Sequence, residues 1–198
     1  MARTIAKDHD LKRAHILRTA AVVFADQGFD RASMSLLARE CGISKANIYH
    51  YYNGKMAILF DILDSYLKAL RDRVIAVEIT DENPEQTLQD IITEILLAYQ
   101  GADHEHQVQI SAMSALPHAQ QEQLRGYQRA LVRFVDTAIR ANAPGVFAAN
   151  AGKLRATTMS VFGMLNWYYM WNSGAGPQAR DDYARLVCQM TLNGVKGL

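Results

Sequence analysis

The sequence predicts an all-α protein in two parts: a three-helix N-terminal domain holding a helix-turn-helix, and a larger C-terminal helical domain, about nine helices together. Three observations predict it. Past residue 55 every segment repeats its apolar residues with helical period, and no stretch alternates as a half-buried strand would. Residues 33 to 55, SMSLLARECGISKANIYHYYNGK, read as a short helix, a glycine turn and a second short helix with a polar outer face. A length of 198 residues with 49% hydrophobic content suffices for a small bundle plus a second packed domain.

In the first short helix Met34, Leu37, Ala38 and Cys41 fall at i, i+3, i+4 and i+7, an inward stripe. Gly42 follows where a left-handed C-terminal cap is wanted, a conformation glycine adopts without strain. Ser44 suits the N-cap of the next helix, with Ile43 and Ile48 as the two ends of a hydrophobic staple. Along residues 44 to 52, about 100° per residue sends Ile48, Tyr51 and Tyr52 toward the core. Ala46, Asn47, Tyr49 and His50 take the other side, with Lys45 at its edge. That side suits a DNA major groove: Asn47 can pair with adenine, Tyr49 and His50 reach phosphate or base, and Ala46 keeps the face shallow. Asn53 is placed to cap a third helix from about Gly54 and Lys55, whose free N–H groups and lysine charge favour a phosphate. The competing reading is an ordinary bundle with a polar surface helix.

The stretch from about Asp10 to Leu59 resembles the N-terminal domain of the TetR family of bacterial transcriptional regulators. The family's opening helix ends in a Phe–small–x–x–Gly–(Phe/Tyr) turn, matched by Phe24, Ala25, Gly28 and Phe29. Ser33 and Ser35 lead the scaffold helix, and Gly42, Ile43, Ser44, Ile48, Tyr49, Tyr51 and Tyr52 match the recognition segment. Lys55 and Leu59 complete the pattern, although Gly54 stands where many relatives carry a small polar residue. The candidate DNA contacts are then Ser33, Ser35, Ser44, Lys45, Ala46, Asn47, Tyr49, His50 and Lys55, on a DNA-binding domain spanning residues 1 to 55. The resemblance implies that residues 56 to 198 form a ligand-binding and dimerisation domain.

The helices of that second part follow in order. Residues 55 to 78 predict one helix about 35 Å long, with Met56, Leu59, Leu63, Leu67, Leu70 and Val74 inward. The stretch 80 to 86 is a loop with a helix start, since Pro84 suits a first helical turn, and Leu88, Ile91, Ile92, Ile95, Leu96 and Tyr99 make the next stripe. After a break at 101 to 103 a helix runs to Leu116, and Pro117 opens a long one carrying Leu124, Tyr127, Leu131, Phe134 and Ile139. Asn142, Pro144 and Gly145 end it, and two helices over roughly 147 to 172 and 177 to 195 complete the chain.

Residues 157 to 171, TTMSVFGMLNWYYMW, are apolar nearly all round, so this helix must be covered on more than one side. Its small residues Ala156, Ser160 and Gly163, with Val187 and Thr191 of the last helix, are the expected interface of a two-fold homodimer that reads a palindromic operator. The alternative is a helix buried inside one monomer. Tyr99, Met113, Phe134, Met159, Met164, Trp167, Tyr168 and Trp171 either line an effector cavity or fill the core. The run GMLNWYYMW is similar to family members that regulate acyl-CoA or aromatic-acid catabolism, which implies an apolar acyl-CoA-type or aromatic effector. Arg125, Arg129 and Arg133 share one helix face, there to meet phosphates or simply to be solvated.

Charge separates the two parts. Residues 1 to 55 carry nine Lys/Arg against five Asp/Glu, whereas the remainder carries twelve against fifteen. A basic headpiece on a mildly acidic body contacts phosphate at one end only. Arg3, Lys7, Lys12 and Arg13 make a basic N-terminal arm that either touches DNA or is a soluble tail. Cys41 and Cys188 form no CxxC pair and are expected to be reduced core residues. No apolar signal follows Met1 and no stretch spans a bilayer, so a cytoplasmic protein with no membrane partner is expected. No catalytic, cofactor or metal site is expected: His104 and His106 flank Glu105 at a surface helix start without a third ligand, and the GAG at 174 to 176 lacks a preceding strand. The expected function is a ligand-released repressor. The rival is a helical small-molecule or acyl-binding protein whose headpiece does not read DNA specifically.

Overall fold

The computed structural model describes residues 2–80, 82–148 and 150–196, with side chains described from Asp8 to Gly194. Among them the elements are α1 (Ala2–Gln27), α2 (Met34–Glu40), α3 (Lys45–Tyr51), α4 (Lys55–Ile75), α5 (Pro84–Ala98), α6 (Asp103–Ala112), a 3-10 turn (Met113–Ala115), α7 (His118–Asn142), α8 (Pro144–Phe147), α9 (Ala151–Trp171) and α10 (Pro177–Lys196). The all-α architecture is the expected one. It holds one short helix more than the sequence suggests, because the Pro144-Gly145 pair opens a four-residue turn, α8, on its way out of α7.

Packing groups the chain into two compact units, residues 1–67 with 104–124, and residues 68–103 with 125–198. A cut at residue 55 and this grouping are different divisions: packing keeps the first three turns of α4 with the headpiece, where Ile58, Leu59, Ile62, Leu63 and Leu67 are buried. The core of the first unit also includes Ile16, Ala20, Phe24, Leu37, Ile48, Val108 and Leu124. At roughly 1.5–3 kcal/mol per large apolar side chain removed from water, such a cluster is the main stabilising term of a small unit.

In the second unit α10 packs along α5 and against α9. Leu88, Ile91, Ile92, Ile95 and Leu96 of α5 are all buried, the stripe read from the sequence. Arg180 is buried as well, its guanidinium donating to Ala175 O at 3.0 Å and Leu96 O at 2.9 Å and lying over the Tyr168 ring. A buried cation is tolerable only with such partners, and here it closes the carbonyl end of α5. No helix among the described residues is long and apolar enough to cross a membrane.

Candidate nucleic-acid interface

Local chemistry pins both helices of the helix-turn-helix at their ends. Ser33 is extended and its hydroxyl accepts from Leu36 N, so it is the N-cap of α2. The helix ends where Gly42 turns left-handed, at φ +66°, and the amides of Gly42 and Ile43 close on Arg39 O and Ala38 O. Ser44 then accepts from Asn47 N at 3.1 Å and starts α3.

These caps fix which side of α3 faces out. Ile48 is fully buried and Tyr52 nearly so, while Lys45, Ala46, Tyr49 and His50 are exposed and Asn47 is half-buried. Tyr49 keeps 46% of its surface accessible, so much of its ring is left open rather than packed within the protomer. Tyr51, expected inward, is half-buried at the edge, where its ring lies 4.8 Å from His9 of α1 and meets His50 edge-on. Ser33, Ser35 and Ser44 are exposed, the first and last already committed as caps.

Two expectations near the start of α4 are corrected. The first helical hydrogen bonds run from Ala57 and Ile58 to Gly54 O, so Gly54 rather than Asn53 occupies the cap position. Lys55 does not reach outward. Its ammonium donates to Phe29 O, Asp30 O and Ala32 O at 2.9, 2.9 and 3.0 Å and lies over the Phe29 ring. All three ammonium protons are thereby used, and the lysine staples the α1–α2 turn instead of offering charge to a phosphate.

The arm is altered in the same way. Lys12 pairs with Asp8, and Arg13 binds Asp61 of α4, with Nη2 at 2.5 Å and Nε at 3.1 Å. Arg13 Nε also lies 3.1 Å from the Tyr52 hydroxyl, which itself donates to Asp61 at 2.6 Å. Burial and the Asp61 hydrogen bond push the Tyr52 phenol well above its ordinary range, with Arg13 opposing. The side chains of Arg3 and Lys7 lie outside the described residues. Sequence periodicity missed this triad, although a buried tyrosine hydroxyl always requires a partner and so signals one.

The histidine pair also differs from expectation. His106 is buried, not at the surface, and its Nδ1 lies 3.1 Å from the Tyr66 hydroxyl.

The candidate effector residues do not form one wall. Tyr99 is buried and donates to Asn166, and Tyr168 is buried, stacked on Tyr183. Met159 and Trp167 stand on the open side of α9, Trp167 with 61% of its surface exposed, and Trp171 is exposed beside Tyr168. Side chains this exposed do not wall an internal cavity of the protomer, and Met159, Trp167 and Trp171 all stand so. Phe134 and Met164 are half-buried, and Met113 falls in the 3-10 turn of the other unit. Arg129 and Arg133 are exposed and Arg125 is half-buried.

Of the interface candidates, Ala156, Ser160 and Gly163 are exposed. Val187 is fully buried and Thr191 nearly so, its hydroxyl turned back to Val187 O, because α10 uses this side against its own protomer. The open large apolar residues of α10 are instead Leu186 and Met190. A shallow groove of about 270 Å³ runs between Thr157, Ser160, Met164, Met190 and Gly194.

Residues 81–195 match the family model described as the tetracyclin repressor-like C-terminal domain, and residues 16–62 match that of the bacterial regulatory proteins, tetR family. The chain belongs to the TetR family. It is a transcriptional regulator with a DNA-binding helix-turn-helix. A TetR-family transcriptional regulator from Bordetella parapertussis 12822 is 33% identical and superposes with a TM-score of 0.85 over 94% of this chain and 96% of that one. AibR, solved in complex with isovaleryl coenzyme A and operator DNA, shares the fold with a TM-score of 0.72 at 20% identity over 91% of this chain and 98% of that one. The regulator SrpR of Pseudomonas putida is 34% identical over 65 residues, 33% of this chain and 30% of SrpR. The matches to the first curated relatives span only 25% to 48% of their lengths. The likeness to the curated relatives is thus confined to a part of each chain, whereas the C-terminal family model and the Bordetella structure extend it in sequence through the C-terminal helices.

Proposed function

We propose that the protein is a repressor that binds a palindromic operator as a homodimer and leaves it when a small apolar or acyl-CoA-type effector binds the C-terminal domain. The observation that carries the reading is the free outer side of α3: Lys45, Ala46, Tyr49 and His50 open beside Asn47, on a helix held by Ser44, Ile48 and Tyr52. Asn47 and Tyr49 meet base edges in the major groove, Lys45 and His50 flank them on the backbone, and Ser33, Ser35 and Ser44 offer hydroxyls to phosphate. A two-fold dimer built on Ala156, Ser160, Gly163 and Met190 places two such helices for the two half-sites.

Support for the effector class is the apolar, aromatic makeup of α9 and the fold shared with AibR, whose structure holds an acyl-coenzyme A. Effector and DNA oppose each other through one coupling free energy, typically about 1 to 3 kcal/mol. The test is a titration at fixed salt of purified protein against DNA from its own upstream region, with and without acyl-CoA thioesters. Selective binding that a thioester releases is the expected result. Selective binding untouched by any thioester would overturn the effector class, and weak binding without sequence preference would overturn the repressor.

A further inference from the structure

We propose that Arg13, Tyr52 and Asp61 form a latch that sets the pose of α3, making them positioning residues for operator recognition although none belongs to its outer side. The inference rests on the reading that α3 enters the groove. A helix of seven residues is far below the length that is stable alone, so its direction must come from tertiary contacts. Ile48 anchors its middle by apolar packing, which resists lifting but leaves rotation about the contact soft. Directional restraint is supplied at its end. Tyr52 is the C-cap residue of α3, extended at φ −141° and ψ 127°, with its ring buried and its hydroxyl donating to Asp61 at 2.6 Å.

Asp61 lies in the second turn of α4 and is largely shielded, whereas Arg13 comes from the middle of α1. Three helices therefore meet on one carboxylate, through a charge-assisted pair and a phenol. The His9–Tyr51 ring contact adds a second tie from α1 to the same end of α3. The hydrogen-bonded ties are short and directional, so losing the hydroxyl alone loosens the end of α3 without emptying the core.

The experiment compares Tyr52→Phe, Asp61→Asn, their double variant, Arg13→Ala and Tyr49→Ala for operator affinity, affinity for unrelated DNA, salt dependence and thermal unfolding. Tyr52→Phe keeps the buried ring and should fold. The expected result is a loss of about 5- to 10-fold in operator affinity, with unrelated-DNA affinity and the salt slope unchanged. The loss in the double variant should fall short of the sum of the two single losses, because the hydroxyl and the carboxylate share one bond and one arginine. A Tyr52→Phe protein that binds operator as wild type while Tyr49→Ala is weakened overturns the latch alone. Unchanged binding by Tyr49→Ala overturns the α3 reading on which the latch depends. Equal losses on operator and unrelated DNA, or a salt slope lower by about 1 in Arg13→Ala, would make these residues backbone contacts and overturn positioning.

Discussion

Helices α3 and α9 both carry tyrosines, yet the two helices use their surfaces in opposite ways. In α3 the capping Ser44 and the buried Ile48 fix which side faces in, and Lys45, Ala46, Tyr49 and His50 are left facing out. In α9 apolar residues surround the helix: Leu154, Val161, Phe162, Leu165 and Tyr168 are buried while Met159, Trp167, Met170 and Trp171 are open. The first arrangement frees a surface for a polar polymer. The second leaves apolar surface that a monomer does not cover. A helix pinned at its ends by local chemistry thus declares its function in its periodicity, and a helix that is apolar all round declares only that it needs covering.

The contrast can be broken at several points. Leu59→Ala removes a fully buried side chain from the headpiece core and should cost about 2–5 kcal/mol of unfolding free energy in a denaturant titration, with operator binding lost in proportion to the unfolded fraction. Lys55→Met should destabilise by roughly 1–3 kcal/mol, since three carbonyls lose their donor, but should leave the salt slope of DNA binding where it was. A slope lower by about 1 would instead return Lys55 to the phosphate backbone. Tyr49→Ala, on the open side of α3, should weaken operator binding by about 1–3 kcal/mol with unchanged melting. Met190→Asp, on the open side of α10, should shift the protein to monomer in sedimentation while each protomer stays folded.

The smallest effect concerns pH. Burial pushes the Cys188 thiol from 9.0 up to about 11, so the fold favours the protonated form. Its contribution is complete below about pH 9 and is lost as pH rises toward 11. Stability should therefore fall in that window, by at most about 1 kcal/mol from this group near pH 10, and less steeply in Cys188→Ala.

How much of this was legible follows the same contrast. The caps at Gly42 and Ser44 and the exposed set on α3 could be read from spacing alone, because caps and short amphipathic helices are set by neighbours in sequence. The roles of Lys55 and Arg13 could not: both read as free positive charges until tertiary structure brings the carbonyls of residues 29 to 32, and Asp61, within reach. On α9 and α10, apolar pattern showed that surface must be buried but not against what. Val187 was thus expected at an interface that its own protomer already occupies.

The most direct test places a photo-crosslinking benzophenone side chain at position 49 in one protein and at position 167 in another, each mixed with operator DNA after binding has been confirmed. The account predicts DNA crosslinks from position 49 and none from position 167, where only protein should be captured. DNA captured from 167, or none from 49 in a protein still bound to its operator, would contradict the assignment of α3 as the helix that reads DNA.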